Sequence, residues 1–458
     1  MVFSSIIFLF YFLPISIILY YITPKKYKNY CLLTISLIFY CYGEIRYLPL
    51  IFISAILDYT NGKLIYKYKD NQKLKKLFLI LSICINLGIL GFFKYFDFLI
   101  ENINFLFNLD ISYLNLALPL GISFYTFQTM TYSIDIYKNR IKPQNKFSNF
   151  LLYVTMFPQL IAGPIVRYEL IEKQINNNNY KKEHIYEGFI IFLNGLFMKV
   201  LLANNIGLLA QTILDSYIES MASLTVVLYM ISYGMQLYFD FNGYSIMAKG
   251  LGKMFGYNYP INFNYPYISK SISEFWNRWH ITLSSFFKEY VYIPLGGNKK
   301  GVLKTMRNLV IVWLLTGFWH GASYNFIIFG IFFGSFIIAE KLFLLKILER
   351  IPTIFRRLYV FIVALTGFTI FSIVDLNLLR FIFSNLFNNQ VINNDFIYLL
   401  KTNIILLSIG FICLFPNIFN KVKKIPNSIL GIIYIILFNI CLFYLVSDRY
   451  TPVIYFRF

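Results

Sequence analysis

The sequence predicts an all-α polytopic membrane protein. Two observations lead to this fold class. Of the 458 residues, 58% are hydrophobic and the mean hydropathy is +0.62, which is far above the usage of soluble domains. Apolar stretches recur from end to end, and at a spanning length of about 20 residues they predict about eleven to thirteen membrane-embedded helices. We expect one integral membrane domain over residues 1–458, with core motifs in 88–334 and C-terminal helices in 357–458.

The charge of the chain agrees with a membrane protein. The net charge is +20, which in a soluble protein would suggest a nucleic-acid partner. In a chain this apolar, clusters of Lys and Arg are typical of cytoplasmic loops that set the topology. We therefore expect contact with membrane lipid and no nucleic acid. The five cysteines are scattered through apolar segments without metal or disulfide spacing, so no metal site is predicted.

The basic clusters also predict an orientation. The first cluster, at residues 25–28, is expected in the cytoplasm, which places the N-terminus outside. The loops at 97–110 and 215–219 contain neither Lys nor Arg and are expected to face outward, and the pattern ends with the C-terminus outside. The apolar segment 3–22 has no basic region before it and no cleavage site after it, so we expect a retained membrane helix.

Two segments do not fit simple spans. Residues 147–166 contain Pro158 and the pair Gly163-Pro164, which predicts a broken or re-entrant segment. Residues 239–307 are too polar to cross the membrane and too apolar for a loose loop. We expect amphipathic helices and re-entrant elements there, at the cytoplasmic face. Irregular backbone at membrane depth is tolerated where it is buried in protein or lines a cavity.

Two short segments, 275–280 and 317–323, contain two of the three histidines, each directly after a tryptophan in a chain with four tryptophans. Histidine exchanges a proton near neutral pH, and a titratable ring within a membrane segment is a functional-site hypothesis. The third histidine, His184, lies among charged loop residues and is expected to be solvated.

The first histidine segment is predicted to be helical. Read as one helix over 275–287, it places Trp276, His280 and Ser284 on one face, at i, i+4 and i+8. From this helix alone, a core histidine bonded to a backbone carbonyl and a functional histidine are equally compatible with the pattern.

The second histidine segment lies within a long apolar stretch, from Met306 to Ala339. Trp313, Thr316 and His320 share a helix face there, and the neighbouring Gly317 and Gly321 leave space for a ligand or another helix. A neutral imidazole at His320 can act as general base on a hydroxyl that attacks an activated acyl group, and apolar surroundings keep it neutral. The alternative is a small-residue helix crossing with an incidental histidine.

Further candidates surround the two histidines. Asp240 could orient Arg278 or a histidine, or form a packing ion pair. Four basic residues after the turn at 292–298 could receive the phosphates of a nucleotide-type donor, or serve topology alone: Lys299, Lys300, Lys304 and Arg307. The candidate substrate-binding residues are Trp276, Arg278, Trp279, Trp319, Asp240, Ser284 and Thr316, and the candidate catalytic residues are His320 and His280.

These motifs resemble the membrane-bound O-acyltransferase (MBOAT) superfamily, and within it the AlgI-like and PatB-like bacterial O-acetyltransferases of polysaccharide or peptidoglycan. The resembling segments are 90–95, 118–128, 157–168, 239–245, 275–280, 292–298, 316–323 and 454–458. The resemblance implies a helical ring around a funnel that joins a cytoplasmic donor site to an extracytoplasmic acceptor site.

The resemblance also assigns roles. The family's catalytic histidine, in Trp-His-Gly, falls on His320, and the histidine of Arg-Trp-His falls on His280, which would shape or polarise the thioester site. It implies a cytoplasmic thioester as donor, and we expect acetyl-CoA as this donor substrate and no tightly bound cofactor. It also implies an extracytoplasmic O-acetyltransferase partner of the SGNH type, similar to AlgJ, AlgX or PatA. The location would be the bacterial cytoplasmic membrane, and the acceptor a cell-envelope polysaccharide or peptidoglycan.

Some positions depart from the AlgI-like pattern. Ile246 and Asn204 stand where those proteins often have Asp, and Asn277 and the segment 262–264 are similar to the DltB branch, which transfers D-alanine. The acyl group and polymer therefore stay open, with DltB-like D-alanyl transfer to a cell-wall polymer as one alternative. A transporter with proton-relaying histidines is another, although no internal repeat supports it. Tyr455 could carry the acyl group briefly, or anchor the interface.

Overall fold

The structure, a computed structural model, describes residues 1–160, 163–177, 180–416 and 426–447, and every regular element among them is helical. The all-α prediction is confirmed. The α-helices are α1 (Leu13–Ile22), α2 (Lys28–Glu44), α3 (Leu48–Lys67), α4 (Gln72–Phe107), α5 (Ile122–Tyr137), α6 (Phe147–Thr155), α7 (Phe157–Leu160), α8 (Tyr168–Asn176), α9 (Glu183–Phe197), α10 (Asn205–Ser216), α11 (Ser223–Met254), α12 (Ile272–Arg278), α13 (Ile281–Phe287), α14 (Val302–His320), α15 (Tyr324–Ala339), α16 (Leu345–Leu348), α17 (Thr353–Ser372), α18 (Leu376–Asn385), α19 (Asn394–Cys413) and α20 (Asn427–Ser447).

Shorter helical turns connect several of these elements. In the described part of the chain the π-helical segments are Phe8–Phe12, Met198–Asn204, Lys288–Tyr292 and Glu340–Leu344, and the 3₁₀ turns are Lys25–Tyr27, Ile45–Tyr47 and Pro266–Ile268. π-Helical turns are rare and often occur at functional sites. Three of the four lie directly beside residues discussed below.

Seven helical stretches of the described chain are long and apolar enough to cross a membrane: Lys25–Lys67, Gln72–Phe107, Glu183–Ser216, Tyr324–Leu348, Thr353–Ser372, Asn394–Cys413 and Ser428–Ser447. The protein is therefore a multi-pass membrane protein. The count of eleven to thirteen embedded helices stays a prediction. The placement of both termini on the outer side of the membrane also stays a prediction. The C-terminal end itself is not among the described residues.

The chain forms two units, one of residues 1–192 with 244–260 and one of residues 193–243 with 261–458. In the first unit α3 packs against α4 and α5, and α2 against α6. In the second unit α14 packs against α15, and α15 against α17. The single domain over 1–458 stays a prediction.

A buried carboxylate ties three helices of the first unit together. Asp58 of α3 is inaccessible to solvent and accepts hydrogen bonds from Ser82 Oγ (2.5 Å), Asn86 Nδ2 (2.7 Å) and Ser133 Oγ (3.1 Å). A buried carboxyl without such donors would be strongly destabilising. The cluster therefore stabilises the packing of α3, α4 and α5.

The segment at 147–166 is broken, as the sequence predicts. α6 ends at Thr155, Met156 has an extended ψ of 111°, and α7 begins at Phe157. Pro158 occupies the first turn of α7, where its missing N–H removes no helix bond. Residues 161 and 162 lie outside the described chain, and a re-entrant path stays a prediction.

The prediction for residues 239–307 is wrong in its first part, because 239–254 continue the 32-residue helix α11. Asp240, a charged residue within this helix, has a partner inside the protein, since it forms an ion pair with Lys199. A helix interrupted by polar residues is stable when those residues face protein instead of lipid. Beyond residue 254 the expected short helices and turns are present.

Candidate functional site

Side chains fix the start of α12, which carries the first histidine motif. The N-cap residue Ser271 accepts the N–H of Glu274 through Oγ at 3.0 Å. Glu340, buried at the end of α15, accepts the N–H groups of Ile272 and Ser273 at 2.5 and 2.8 Å. Together these acceptors satisfy the donors that a helix start leaves open. The sequence offered one signal for Glu340, since it is the first acidic or basic residue after the apolar stretch 308–339.

The single helix predicted over 275–287 is wrong. α12 ends at Arg278, α13 begins at Ile281, and His280 between them has left-handed dihedrals of φ 44° and ψ 53°. The physical reason is a pair of backbone hydrogen bonds to the neighbouring segment 262–264. Asn264 N–H donates to Arg278 O, and Ile281 N–H donates to Asn262 O, both at 2.9 Å. These bonds replace helical ones and turn the chain between the two short helices.

His280 lies in a closed, mostly aromatic environment. Its side chain is buried, its Nδ1 lies 3.2 Å from Asn262 Oδ1, and its ring meets the edge of the Phe241 ring at 4.5 Å. Burial lowers the pKa of His280 to about 3. The imidazole is therefore neutral at physiological pH, because the charged form would lose its hydration.

His320 is the last residue of α14 and is only partly buried. Its ring contacts the rings of Trp319 (4.9 Å), Phe371 (5.1 Å) and Phe329 (5.5 Å). The Trp319 ring also lies 6.0 Å from that of His280. One indole therefore touches both imidazoles, and the two histidine motifs, 40 positions apart in the chain, belong to one site.

The glycines of the second motif serve a close helix crossing. A Cβ at Gly317 would lie 2.2 Å from Phe326 O, and one at Gly330 would lie 2.4 Å from Trp313 O. A Cβ at Gly321 would overlap the Phe326 ring at 2.2 Å. The space around Gly317 and Gly321 is thus filled by α15, which agrees with the alternative of a small-residue helix crossing. The catalytic role of His320 stays a prediction.

Three of the substrate-binding candidates line one cavity of about 210 Å³: Trp276, Ser284 and Thr316. Among the described residues the indole Nε1–H of Trp276 has no hydrogen-bond partner. The hydroxyls of Ser284 and Thr316 donate to backbone carbonyls, of Trp276 at 3.0 Å and of Val312 at 2.8 Å. The rest of the lining is mostly apolar, together with the polar side chains of Asn277, Lys288 and Tyr292. Neither histidine is among its lining residues.

Two further candidates are engaged with protein groups. Arg278 donates through Nε to Glu274 Oε1 at 3.0 Å and through Nη1 to Asn264 O at 3.1 Å. Trp279 is buried, and its ring stacks on that of Phe275 with 5.5 Å between the ring centroids and packs at a tilt against that of Phe368 at 4.6 Å. Both side chains hold the turn around His280 in place, and their substrate-binding role stays a prediction.

Asp240 has a partner that sequence reasoning missed. It pairs with Lys199, and the side chains of both residues are at most 3% exposed. Lys199 lies in the π-helical segment Met198–Asn204 and is the one charged residue between Glu187 and Asp215. That isolation within an apolar stretch was the available signal. This buried ion pair supports the packing alternative for Asp240.

The fold and this site define a class of protein: a multi-pass helical membrane protein with two histidines on either side of one indole. Comparison with known proteins gives the family. The sequence model of MBOAT, the membrane-bound O-acyltransferase family, matches residues 43–382. The chain belongs to the membrane-bound O-acyltransferase family and is an O-acyltransferase. The resemblance drawn from the motifs is confirmed, and the transporter alternative falls away.

Several curated proteins are similar to the chain. A probable alginate O-acetylase AlgI of Azotobacter vinelandii is 36% identical over 389 residues, which cover 82% of this chain and 76% of that protein. A peptidoglycan O-acetyltransferase of Helicobacter pylori is 40% identical over 366 residues, which cover 73% of this chain and 69% of that protein. A teichoic acid D-alanyltransferase of Bacillus subtilis is 31% identical over 234 residues, which cover 48% of this chain and 58% of that protein.

One residue of the sequence analysis cannot be placed. Tyr455, the suggested acyl carrier, lies outside the described residues, as does the rest of the motif at 454–458.

Proposed function

We propose that the protein takes an acetyl group from acetyl-CoA at the cytoplasmic side and delivers it for O-acetylation of an extracytoplasmic polysaccharide or peptidoglycan. The observation that carries the proposal is the meeting of His280 and His320 at Trp319. Support for acetyl comes from the relatives, since the O-acetylases match most of this chain and the D-alanyltransferases match about half.

The chemistry assigned to His320 is general-base catalysis. Its neutral imidazole accepts the proton of an acceptor hydroxyl while the oxygen attacks the thioester carbonyl. The C–S bond then breaks, the new ester retains the acetyl group, and the imidazolium returns its proton to the departing thiolate. His280 shapes the thioester site. Much of the rate gain is positional, because a channel through the membrane brings donor and acceptor together from opposite sides.

The cavity beside α12 supports a site for the donor. It is lined by apolar side chains and by Lys288 and Tyr292. The basic residues of the following segment, Lys299, Lys300, Lys304 and Arg307, suit the phosphates of acetyl-CoA. Trp276 contributes an unused N–H donor for an amide or carbonyl oxygen of the donor's arm.

The proposal includes a location and a partner. Basic clusters on one side predict a bacterial cytoplasmic membrane protein with both termini outside. An extracytoplasmic partner of the SGNH type, similar to AlgJ, AlgX or PatA, would finish the transfer to the polymer. The acceptor is recognised by its hydroxyl groups.

The test measures alkali-released acetate and D-alanine from purified peptidoglycan and from surface polysaccharide. The strains are wild type, a deletion, and the deletion complemented with the wild-type gene, His320→Ala or His184→Ala. His184 is the matched control, because it lies in the first turn of α9, outside both histidine motifs, where its Nδ1 accepts the N–H of Lys181 at 3.3 Å. We expect the deletion strain to lose acetate from one of the two fractions. The wild-type gene and His184→Ala should restore that acetate, and His320→Ala should not.

Two outcomes contradict parts of the proposal. Full acetylation by His320→Ala at normal expression removes the general-base role. Unchanged acetate with a fall in D-alanine favours D-alanyl transfer, for which the similarity to teichoic acid D-alanyltransferases is the supporting observation.

A further inference from the structure

We propose that Asn262 is a positioning residue of the acyl-transfer site, which holds His280 as the Nδ1–H tautomer and leaves Nε2 as a lone-pair acceptor for an N–H or O–H of the substrate. The inference rests on the proposed function, and it makes one role of His280 more specific. In this tautomer Nε2 cannot donate a hydrogen bond to a thioester carbonyl. His280 therefore accepts a hydrogen bond from the substrate and does not polarise the thioester carbonyl.

The first step is the orientation of the Asn262 amide. Its Oδ1 lies 3.1 Å from the backbone N of Thr282 and 3.0 Å from Thr282 Oγ1. A backbone N–H can only donate, so the amide atom that faces it has to be an acceptor. The flipped amide would set two N–H donors against each other. The orientation therefore follows from a main-chain group, which removes the usual ambiguity of asparagine side chains.

The orientation of the Asn262 amide also fixes the tautomer of the His280 imidazole. His280 Nδ1 lies 3.2 Å from the same Asn262 Oδ1, and an amide oxygen carries no proton. The proton of that hydrogen bond therefore sits on Nδ1. Burial keeps the pKa of His280 at about 3, so the ring is neutral with a single proton. Nε2 is then unprotonated and has a lone pair.

The surroundings of His280 Nε2 contain no hydrogen-bond partner among the described residues. His280 is 1% exposed. The rings packed around it belong to Phe241, Phe263 and Trp319, none of which titrates or accepts a proton. A buried acceptor without a partner is rare in native proteins and indicates a ligand or a water at that point.

The last step is the rigidity of the arrangement. Asn262 is 2% exposed, and its backbone oxygen accepts Ile281 N–H at 2.9 Å while its side chain binds Thr282 and His280. One residue thus holds the chain on the C-terminal side of His280 and the imidazole itself. A partner that orients a functional histidine in this way sets which ring nitrogen is available.

The test is nuclear magnetic resonance of the full-length protein in lipid nanodiscs, with ¹⁵N-labelled histidine. The chain has three histidines, so spectra of the His184→Gln and His280→Gln variants assign the signals. Protonated and unprotonated ring nitrogens have well separated shifts. We expect wild-type His280 to show a protonated Nδ1 and an unprotonated Nε2 at pH 7. A protonated Nε2 in the wild type overturns the inference without any variant.

Variants test whether Asn262 causes this state. In Asn262→Ala we expect a mixture of tautomers at His280 and a kcat for CoA release from acetyl-CoA at least about 10-fold lower, with a smaller change in KM. Asn262→Asp keeps an acceptor oxygen, and we expect it to keep the Nδ1 proton. The matched control is Asn264→Ala, because the Asn264 side chain is exposed and only its backbone atoms form hydrogen bonds.

The outcomes separate this inference from the proposed function. An unchanged tautomer in Asn262→Ala, in a protein whose wild type transfers acetyl groups, overturns the inference alone. A wild type that consumes no acetyl-CoA overturns the proposed function, while the tautomer measurement still decides which nitrogen of His280 carries the proton.

Discussion

At the scale of single residues, His280 combines two unfavourable features. Its backbone is left-handed, which for a residue other than glycine costs about 1–3 kcal/mol, and its ring is buried and neutral. Such strain persists where the surrounding contacts over-determine the conformation. Here those contacts come from Asn262 and from the rings of Phe241 and Trp319.

The buried histidine predicts an acid-sensitive stability. The pKa of His280 is lowered in the folded state to about 3, so between that value and its ordinary value the unfolded chain binds more protons. The contribution to stability is therefore lost as the pH falls below about 6.5, at up to about 1.4 kcal/mol per pH unit for one proton. We expect thermal unfolding in detergent to show a steeper loss between pH 6.5 and 5 for the wild type than for His280→Asn.

Asparagine is the chosen replacement because it tolerates the left-handed conformation. Equal pH slopes for the wild type and His280→Asn would mean that the imidazole is already hydrated or charged in the folded protein.

At the scale of elements, close contacts between helices decide the geometry of the site. α14 and α15 approach each other through Gly317 and Gly330, while α11 and the π-helical turn after α9 are joined by the pair Asp240–Lys199. α12 is capped by Glu340 from the end of α15. Each of these contacts joins segments that are distant in the chain.

The glycine crossing gives a stability prediction. A methyl group at Gly330 would meet Trp313 O at 2.4 Å, and since backbone cannot yield cheaply, Gly330→Ala should destabilise the protein by about 1–3 kcal/mol. Gly88 within α4 is the control, because a Cβ there meets nothing within 4 Å. Gly88→Ala should be neutral or stabilising by up to about 1 kcal/mol. The measurement is thermal unfolding of both variants, and equal effects would contradict the crossing.

The buried ion pair between Asp240 and Lys199 gives a second stability prediction. Asp240→Asn leaves the charge of Lys199 buried without its carboxylate, which should destabilise the protein by about 3–5 kcal/mol. The double variant Lys199→Met with Asp240→Leu removes both charges and should recover most of the loss. The readout is the yield of monodisperse protein and its unfolding temperature. A double variant as unstable as Asp240→Asn would show that these charges stabilise the protein through groups other than each other.

At the scale of the whole molecule, the seven apolar helical stretches found in the described part of the chain make it a multi-pass membrane protein, and the family model covers residues 43–382. The orientation rests on charge, because loops rich in Lys and Arg stay in the cytoplasm. The donor and acceptor sides of the proposed reaction depend on this orientation.

Orientation is testable by single cysteines in a variant whose five native cysteines are replaced by serine or alanine. In spheroplasts we expect a membrane-impermeant maleimide to label Glu219→Cys, in the loop without basic residues. Lys300→Cys, in the basic turn, should react only after the membrane is permeabilised. Labelling of Lys300→Cys in intact spheroplasts would reverse the proposed sides of donor and acceptor.

The sequence by itself determined the membrane class, the all-α fold, the family and the two histidine motifs, because hydropathy and motif identity are local properties of the chain. Only the tertiary structure decided that α12 and α13 are separate, that Lys199 pairs with Asp240, and that Asn262 holds His280. The physical reason is that helical periodicity describes the hydrogen bonds within a segment. The left-handed turn at His280, the ion pair and the amide contact each depend on partners outside it.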